Sequence, residues 1–325
     1  MHIVIAHSDA GAGHAWRHEL AARLPGARLA LDPATPDGRD TAAEPAGAGT
    51  ANGFAAEYAV GWAPPADFFE RHPGLRAFFA AGAGVDRLMR HPGLPAGLPV
   101  VRLEDAGMGP LMAEYCLHEL LRIAGRHDAY AALQAQRRWE ELPAIARQDL
   151  PVGVFGVGVL GAQVARHLGA AGFTVRGFAR SPRRVEGVEV MHGPDGWRAF
   201  LAATRVLILL APLTAETENA IDAAALDALR PGGWLVNIAR GALVVDADLI
   251  AALDTGRLAG ATLDVFREEP LPPAHPFWTH PRIRVTPHVS GPTLVSVSAA
   301  QVVEGLAAMR RGEPPRGLVD RRRGY

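Results

Sequence analysis

Polar residues follow three successive apolar runs in the second half of the chain. "LVNIARG" ends on Arg240, "LDVFREEPLP" carries Glu268 and Glu269, and "VTPHVSG" carries His288. A guanidinium grips anionic oxygens, a carboxylate steers and charges a neighbouring imidazole, and an imidazole exchanges a proton near neutral pH. In an open parallel sheet, residues just beyond the carboxyl ends of strands border the crevice where ligands bind. The order of these runs therefore places the three groups around one cleft.

A second constellation is a glycine turn. "GVGVLG" at 156–161 follows the strand-like "PVGVF" and precedes "AQVARHLGAAG", whose Val164, Ala165 and Leu168 share a helical face. Gly156 suits the tight turn, Gly158 a close approach of backbone to a pyrophosphate, and Gly161 helix–strand contact. The pyrophosphate would rest on free amides at the helix start. Two other Gly-x-Gly runs fail the pattern: "GAGHAW" has Trp16 and "GAGVDR" has Arg87 at the third glycine position. Where a dinucleotide site for NAD carries an acid, "GFARSPRR" has Ala179, Arg180, Ser181, Arg183 and Arg184. A carboxylate about 4 Å from a 2′-phosphate would cost on the order of 4 kcal/mol per charge pair at an effective dielectric near 20. Forked arginine donors suit that phosphate instead. The expected cofactor is NADP(H), with Arg180, Ser181 and Arg183 or Arg184 at the phosphate.

The elements that must hold these groups read as alternating strands and helices. "HIVIAH", "RLAL", "AAEYAVGW" and "LRAFFAAG" are strand candidates in the first hundred residues, with "AWRHELAARL" helical between the first two. Residues 33–53, rich in Ala, Gly and Pro, read as a mobile surface insertion. A long helix, "GPLMAEYCLHELLRIAGRH", leads to strands at "PVGVF", "FTVRGFA", "RVLILLA", "GGWLVNIA", "GATLDVF" and "RIRVTP". Asp246 reads as the N-cap of "DADLIAALDTG", with Gly256 past its end, and Pro292 lies near the start of a last helix that stops before Gly312. Apolar strands separated by helices imply parallel pairing through right-handed crossovers. The fold class is α/β, with doubly wound parallel sheets.

Composition narrows the chemistry further. The 325 residues carry a formal net charge of −1, so no global field favours nucleic acid or an anionic membrane. All 33 basic residues are arginine, which removes lysine Schiff bases and the P-loop lysine. The single cysteine, Cys116, reads as a core residue, and the histidines show no metal-ligand spacing, so no metal is expected. No signal peptide or membrane span is evident, and the cytoplasm is the expected location.

The motifs "GAGVD", "EDAGMG", "GVGVLG", "NIARGALVV", "LDVFREEPLP", "TPHVSG" and "VDRRRGY" together resemble the D-isomer-specific 2-hydroxyacid dehydrogenases, in their glyoxylate/hydroxypyruvate reductase A branch. The likeness spans nearly the whole chain except 33–53. It implies a flavodoxin-like substrate domain at 1–102 plus 289–325 and a Rossmann NADP-binding domain at 103–288, flanking a cleft that closes around substrate. His288 would be the general acid, Glu269 its orienting partner, and Arg240 the clamp on a small 2-keto acid. Glu268 would be a bystander, since the family places its acid directly before the proline. Backbone amides of Ala83 and Gly84 would receive the substrate carboxylate, turning the failed second glycine run into an anion nest. Trp62 and Trp139 would shape the substrate pocket, Trp139 from a partner subunit. Val159, Leu160 and Ile238 would contact the cofactor, and Asp264 would face the nicotinamide amide. A homodimer through the helix near 109–125 is implied. Alternatives are a reductase of bulkier 2-keto acids and a nucleotide-sensing protein of the same fold without catalysis. Phosphoglycerate and formate dehydrogenases fit less well, because no regulatory extension is seen and Glu269 stands where the formate enzymes use Gln.

Overall fold

The computed structural model describes residues 1–35 and 55–325, so most of the 33–53 stretch lies outside the described residues. The chain opens with β1 (His2–His7), followed by α1 (Ala10–Arg23), β2 (Arg28–Leu31), β3 (Tyr58–Trp62), α2 (Phe68–Arg71), β4 (Ala77–Ala80), α3 (Asp86–Met89) and β5 (Val100–Val101). Asp9 caps α1, its carboxylate accepting from the Ala12 amide at 2.7 Å. "GAGHAW" runs inside this helix, and Trp16 is buried in the core beneath it. The five strands pair in parallel in the order β2-β1-β3-β4-β5. That is the flavodoxin-like order, with its switch point between β1 and β3.

Next come α4 (Met108–Ala124), α5 (His127–Ala135), β6 (Val152–Phe155), α6 (Val159–Ala170), β7 (Val175–Ala179), β8 (Glu189–His192), α7 (Gly193–Ala203) and β9 (Val206–Leu209). They are followed by α8 (Ala223–Ala228), β10 (Gly233–Asn237), α9 (Asp246–Asp254), β11 (Leu258–Leu263) and β12 (Ile283–Val285), and the chain's last helix is α10 (Val295–Arg310). Seven strands form a second parallel sheet, β12-β11-β10-β9-β6-β7-β8, which reverses direction at the β6/β9 pair. β6 and β9 are buried along their whole length, as a strand covered by helices on both faces must be. Each fully buried Leu, Ile or Val of "VLIL" in β9 contributes about 1.5–3 kcal/mol. Residues 1–107 with 293–325 form one unit and residues 108–292 the other. The chain is α/β with two doubly wound parallel sheets, as expected.

Several local expectations need correction. Asp246 is the first residue of α9 and does not cap it: Val245 is the N-cap, and no side chain caps the helix there. The Asp246 carboxylate turns instead to Arg267 at 3.5 Å and His275 at 3.6 Å. The long helix expected to run to His127 ends at Ala124, and after Gly125 and left-handed Arg126 at φ 53° a separate helix, α5, begins at His127. The last helix starts at Val295, three residues past Pro292, while Gly256 and Gly312 do sit beyond their helices at φ 76° and 77°. β8 was not expected at all. It is an edge strand with no buried residue, so no apolar alternation marks it. Among the described residues no helix is long and apolar enough to cross a membrane.

Candidate active site

The glycine turn sits at the switch point of the seven-stranded sheet. Gly156 follows β6 at φ 101°, and a Cβ there would lie 2.3 Å from the Ala211 nitrogen just past β9. A Cβ on Gly161 would lie 2.0 Å from the Gly156 carbonyl oxygen, so helix and turn touch backbone to backbone. Gly158 differs: a Cβ there would meet open space. The protein's own packing does not demand glycine at 158, whereas a ligand approaching the backbone does. α6 begins at Val159 and Leu160 with Gly158 as N-cap and no capping side chain. Its first-turn amides therefore have no intrahelical acceptor and point positive charge at the opening.

At the end of β7, Arg180, Ser181, Arg183 and Arg184 are exposed. Arg180 pairs with Glu216 at 3.5 Å, a contact between two exposed side chains. These donors, the open Gly158 and the uncapped α6 together fit a dinucleotide with a phosphorylated ribose. Ile238, just past β10, is buried.

The three expected chemical groups lie after β10, β11 and β12, which are neighbours in the sheet. Arg240 is half-buried, and its Nη1 donates to the Ala239 carbonyl at 2.7 Å. Glu269 and His288 meet directly, with His288 Nδ1 3.0 Å from Glu269 Oε2. Their side chains keep 31 % and 40 % of their surface, so both remain reachable. The other Glu269 oxygen accepts from the Phe266 amide at 2.9 Å. Burial alone would raise the Glu269 carboxyl, but bonding to His288 and Phe266, with the charges of His288 and Arg240, holds it below the usual glutamate range. It is a carboxylate near neutral pH and keeps a proton on His288 Nδ1. Nε2 is then the nitrogen left for a ligand. Glu268 is exposed.

Two groups that position this site were not singled out from sequence. Asn237, the last residue of β10, is buried; its Nδ2 donates to the Arg240 carbonyl at 2.9 Å and its Oδ1 accepts from the Ala239 amide at 3.1 Å. A buried asparagine at a strand end beside an arginine was the available signal. Gly241 is the second: a Cβ there would lie 2.0 Å from the Phe266 carbonyl carbon. Only glycine lets the Arg240 loop lie on the loop that carries Glu269.

Asp264, directly after β11, has no exposed surface. Its Oδ1 accepts from Thr286 Oγ1 at 2.6 Å and the Val289 amide at 2.9 Å, and its Oδ2 from the Ser290 amide at 2.9 Å. In the other unit, Trp62 ends β3, and Ala83 and Gly84 follow β4, each half-buried. The Trp62 ring lies on Gly82, where a Cβ would come within 2.5 Å of Cζ3. Trp139 is fully exposed in the segment after α5. Cys116 is fully buried, and that burial pushes its thiol up. Among the described residues no cluster of His, Cys, Asp or Glu could hold a metal.

Comparison with known proteins matches this geometry. Residues 117–290 fit the family model described as D-isomer specific 2-hydroxyacid dehydrogenase, NAD binding domain. The glyoxylate/hydroxypyruvate reductase A of Photorhabdus laumondii subsp. laumondii is 45 % identical over 275 residues, 83 % of this chain and 88 % of that protein. The same-named protein of Salmonella heidelberg is 46 % identical with the same coverage. Among solved structures, a D-isomer specific 2-hydroxyacid dehydrogenase from Xanthobacter autotrophicus Py2 in complex with NADPH and MES superposes with a TM-score of 0.90 at 37 % identity, covering 99 % of each chain. The NADPH-dependent glyoxylate/hydroxypyruvate reductase of Sinorhizobium meliloti, in complex with NADP and sulfate, gives 0.89 at 35 %, covering 100 % of this chain and 99 % of that one. With its glycine turn at the switch point and Arg240, Glu269 and His288 on adjacent strand ends, this chain belongs to the D-isomer specific 2-hydroxyacid dehydrogenase family.

Proposed function

We propose that this protein reduces glyoxylate to glycolate and hydroxypyruvate to D-glycerate at the expense of NADPH. The observation that carries the reading is the His288–Glu269 pair at 3.0 Å, next to the Arg240 loop at the end of a dinucleotide-binding sheet. Similar proteins from Photorhabdus and Salmonella bear that activity in their names, and the Sinorhizobium neighbour was solved with NADP.

NADPH, when bound, supplies the hydride that adds to C2 of the keto acid. As the carbonyl π pair moves onto oxygen, His288 Nε2 gives that oxygen its proton, and the neutral imidazole then recovers one from water. Glu269 keeps Nδ1 protonated and the ring aimed throughout. Arg240 holds the substrate carboxylate and draws charge toward the developing alkoxide. Gly156, Gly158, Gly161 and the amides of Val159 and Leu160 would cradle the pyrophosphate, with Ile238 and Asp264 toward the nicotinamide end. Arg180, Ser181 and Arg183 would receive the 2′-phosphate. Ala83 and Gly84 are proposed to bind a carboxylate through their amides, and Trp62 and Trp139 to limit substrate size. The proposal includes a cytoplasmic homodimer; exposed Leu121 on α4 and Tyr130 on α5 support association there.

Arg240→Ala and His288→Ala should each lower glyoxylate turnover by about 10²–10⁴-fold. The NADPH dissociation constant, read by fluorescence titration, should change little. Near-normal turnover in either variant sinks the assigned roles. Initial rates should favour NADPH over NADH, and a preference for NADH overturns the role of Arg180. Sedimentation should give twice the chain mass, and a monomer would remove the dimer from the proposal.

A further inference from the structure

The loop bearing His288 is built around a single carboxylate. Thr286, Val289 and Ser290 all donate to Asp264, and the His288 amide donates to the Asp264 carbonyl at 2.8 Å. His288 itself sits in the left-handed region, at φ 56°, which an L side chain adopts at a cost. Its backbone is held there by bonds on both sides, and its ring direction follows.

Thr286 has a further partner. Tyr115 on α4 places its hydroxyl 2.7 Å from Thr286 Oγ1. The direction of these bonds is fixed by counting protons. Asp264 as a carboxylate has none to give, so the one hydroxyl proton of Thr286 goes to it. The Thr286 oxygen then has only lone pairs to offer Tyr115, and Tyr115 must donate. Burial, reinforced by the negative charges of Asp264 and Glu119, keeps the phenol protonated, so the donor persists over the working pH range. The result is a one-way chain, Tyr115 O–H to Thr286 O–H to Asp264, ending on the carboxylate that holds the His288 loop.

We infer that Tyr115 and Thr286 are positioning residues for the reaction, aligning His288 through Asp264 without touching substrate. This rests on His288 being the proton donor. Polarisation along the chain strengthens each bond, so removing the first member loosens the last. The Tyr115 ring lies on α4, a helix that carries none of the residues assigned to substrate or cofactor, and its hydroxyl meets the His288 loop at Thr286.

The test is steady-state reduction of glyoxylate by NADPH in Tyr115→Phe, Thr286→Val, the double variant, Thr286→Ser and, in parallel, His288→Ala. Tyr115→Phe and Thr286→Val should each lower kcat about three- to tenfold, the scale of one buried hydrogen bond. The KM for NADPH should stay within about twofold, because the hydrogen-bond chain meets the proposed cofactor residues only at Asp264 and touches none of those assigned its phosphates. The double variant should be no worse than the poorer single one, since both break the same chain. Thr286→Ser, which keeps the hydroxyl, should restore most of kcat. Wild-type kcat in Tyr115→Phe, losses that multiply in the double variant, or no rescue by serine would each overturn the inference. Near-normal turnover in His288→Ala would instead remove the reading of His288 on which it rests.

Discussion

Two buried aspartates each directly follow a strand, one in each sheet, and are satisfied in opposite ways. Asp32 directly follows β2 and Asp264 directly follows β11, and neither exposes any surface. Asp32 accepts from Arg71 Nη1 at 2.6 Å and Nη2 at 3.0 Å, lies 3.2 Å from His72 Nε2, and accepts from the Ala34 amide at 2.9 Å. Charge meets charge, and the end of β2 is tied to the end of α2. Asp264 has only neutral donors, a hydroxyl and two amides, all from residues 286–290. One carboxylate joins two distant elements; the other shapes a single loop. The difference is one of purpose, because an ion pair needs only proximity, whereas several neutral donors must each be placed in direction.

Asp32→Ala strips buried His72 of its carboxylate, while Arg71, part-exposed, keeps Asp67 at 2.9 Å. The substitution should cost about 3 kcal/mol of stability in urea unfolding, the low end for breaking a buried ion pair. Its effect on turnover per folded molecule should be small. Asp264→Asn is the converse. Its amide nitrogen must face a backbone N–H, so kcat should fall about 100-fold, or roughly 2.7 kcal/mol, with a smaller stability loss of about 1–3 kcal/mol. If Asp264→Asn proves the more destabilising variant and leaves kcat intact, the distinction fails.

Acid should separate the two sites further. Burial by itself would raise the Asp32 carboxyl, but His72, Arg71 and the Ala34 amide bring it down to about 2, from the ordinary value of 3.8. A depressed folded-state value stabilises the fold above the unfolded one. That contribution, about 2 kcal/mol, should be complete above roughly pH 4 and lost as pH falls through about 2. Urea titrations along this range should show it in the wild type and not in Asp32→Asn. The smallest effect belongs to an exposed pair: Glu216→Gln, which removes the partner of Arg180, should change stability by less than about 0.5 kcal/mol.

Much of the candidate site's geometry was legible because its signals are local. The spacing of Gly156, Gly158 and Gly161 after an apolar strand locates the switch point, and Arg240, Glu269 and His288 each follow their own apolar run. The fold class follows from the same alternation of strand and helix. What escaped was non-local or weakly patterned. β8 lies at a sheet edge with exposed and half-exposed residues, so its sequence carries no burial signal. Asp246 resembles an N-cap by type and place, yet Arg267 and His275 draw its carboxylate away. Tyr115 and Thr286 are 171 residues apart, and no local rule links them. Gly241 needs the backbone of Phe266 beside it before its meaning is visible.

The order of the second sheet also separates two kinds of heritable change. Arg180, Ser181 and Arg183 stand exposed at the end of β7, beside the edge strand, while Arg240, Glu269 and His288 follow β10, β11 and β12. Three strand spacings lie between β7 and β10, roughly 14 Å. Substitutions that far apart and without shared partners combine nearly independently. On the proposed roles, a lineage could exchange one electron donor for another through surface residues, without disturbing the core or His288. If those roles hold, preference for the reductant and competence for the reaction would drift on separate clocks.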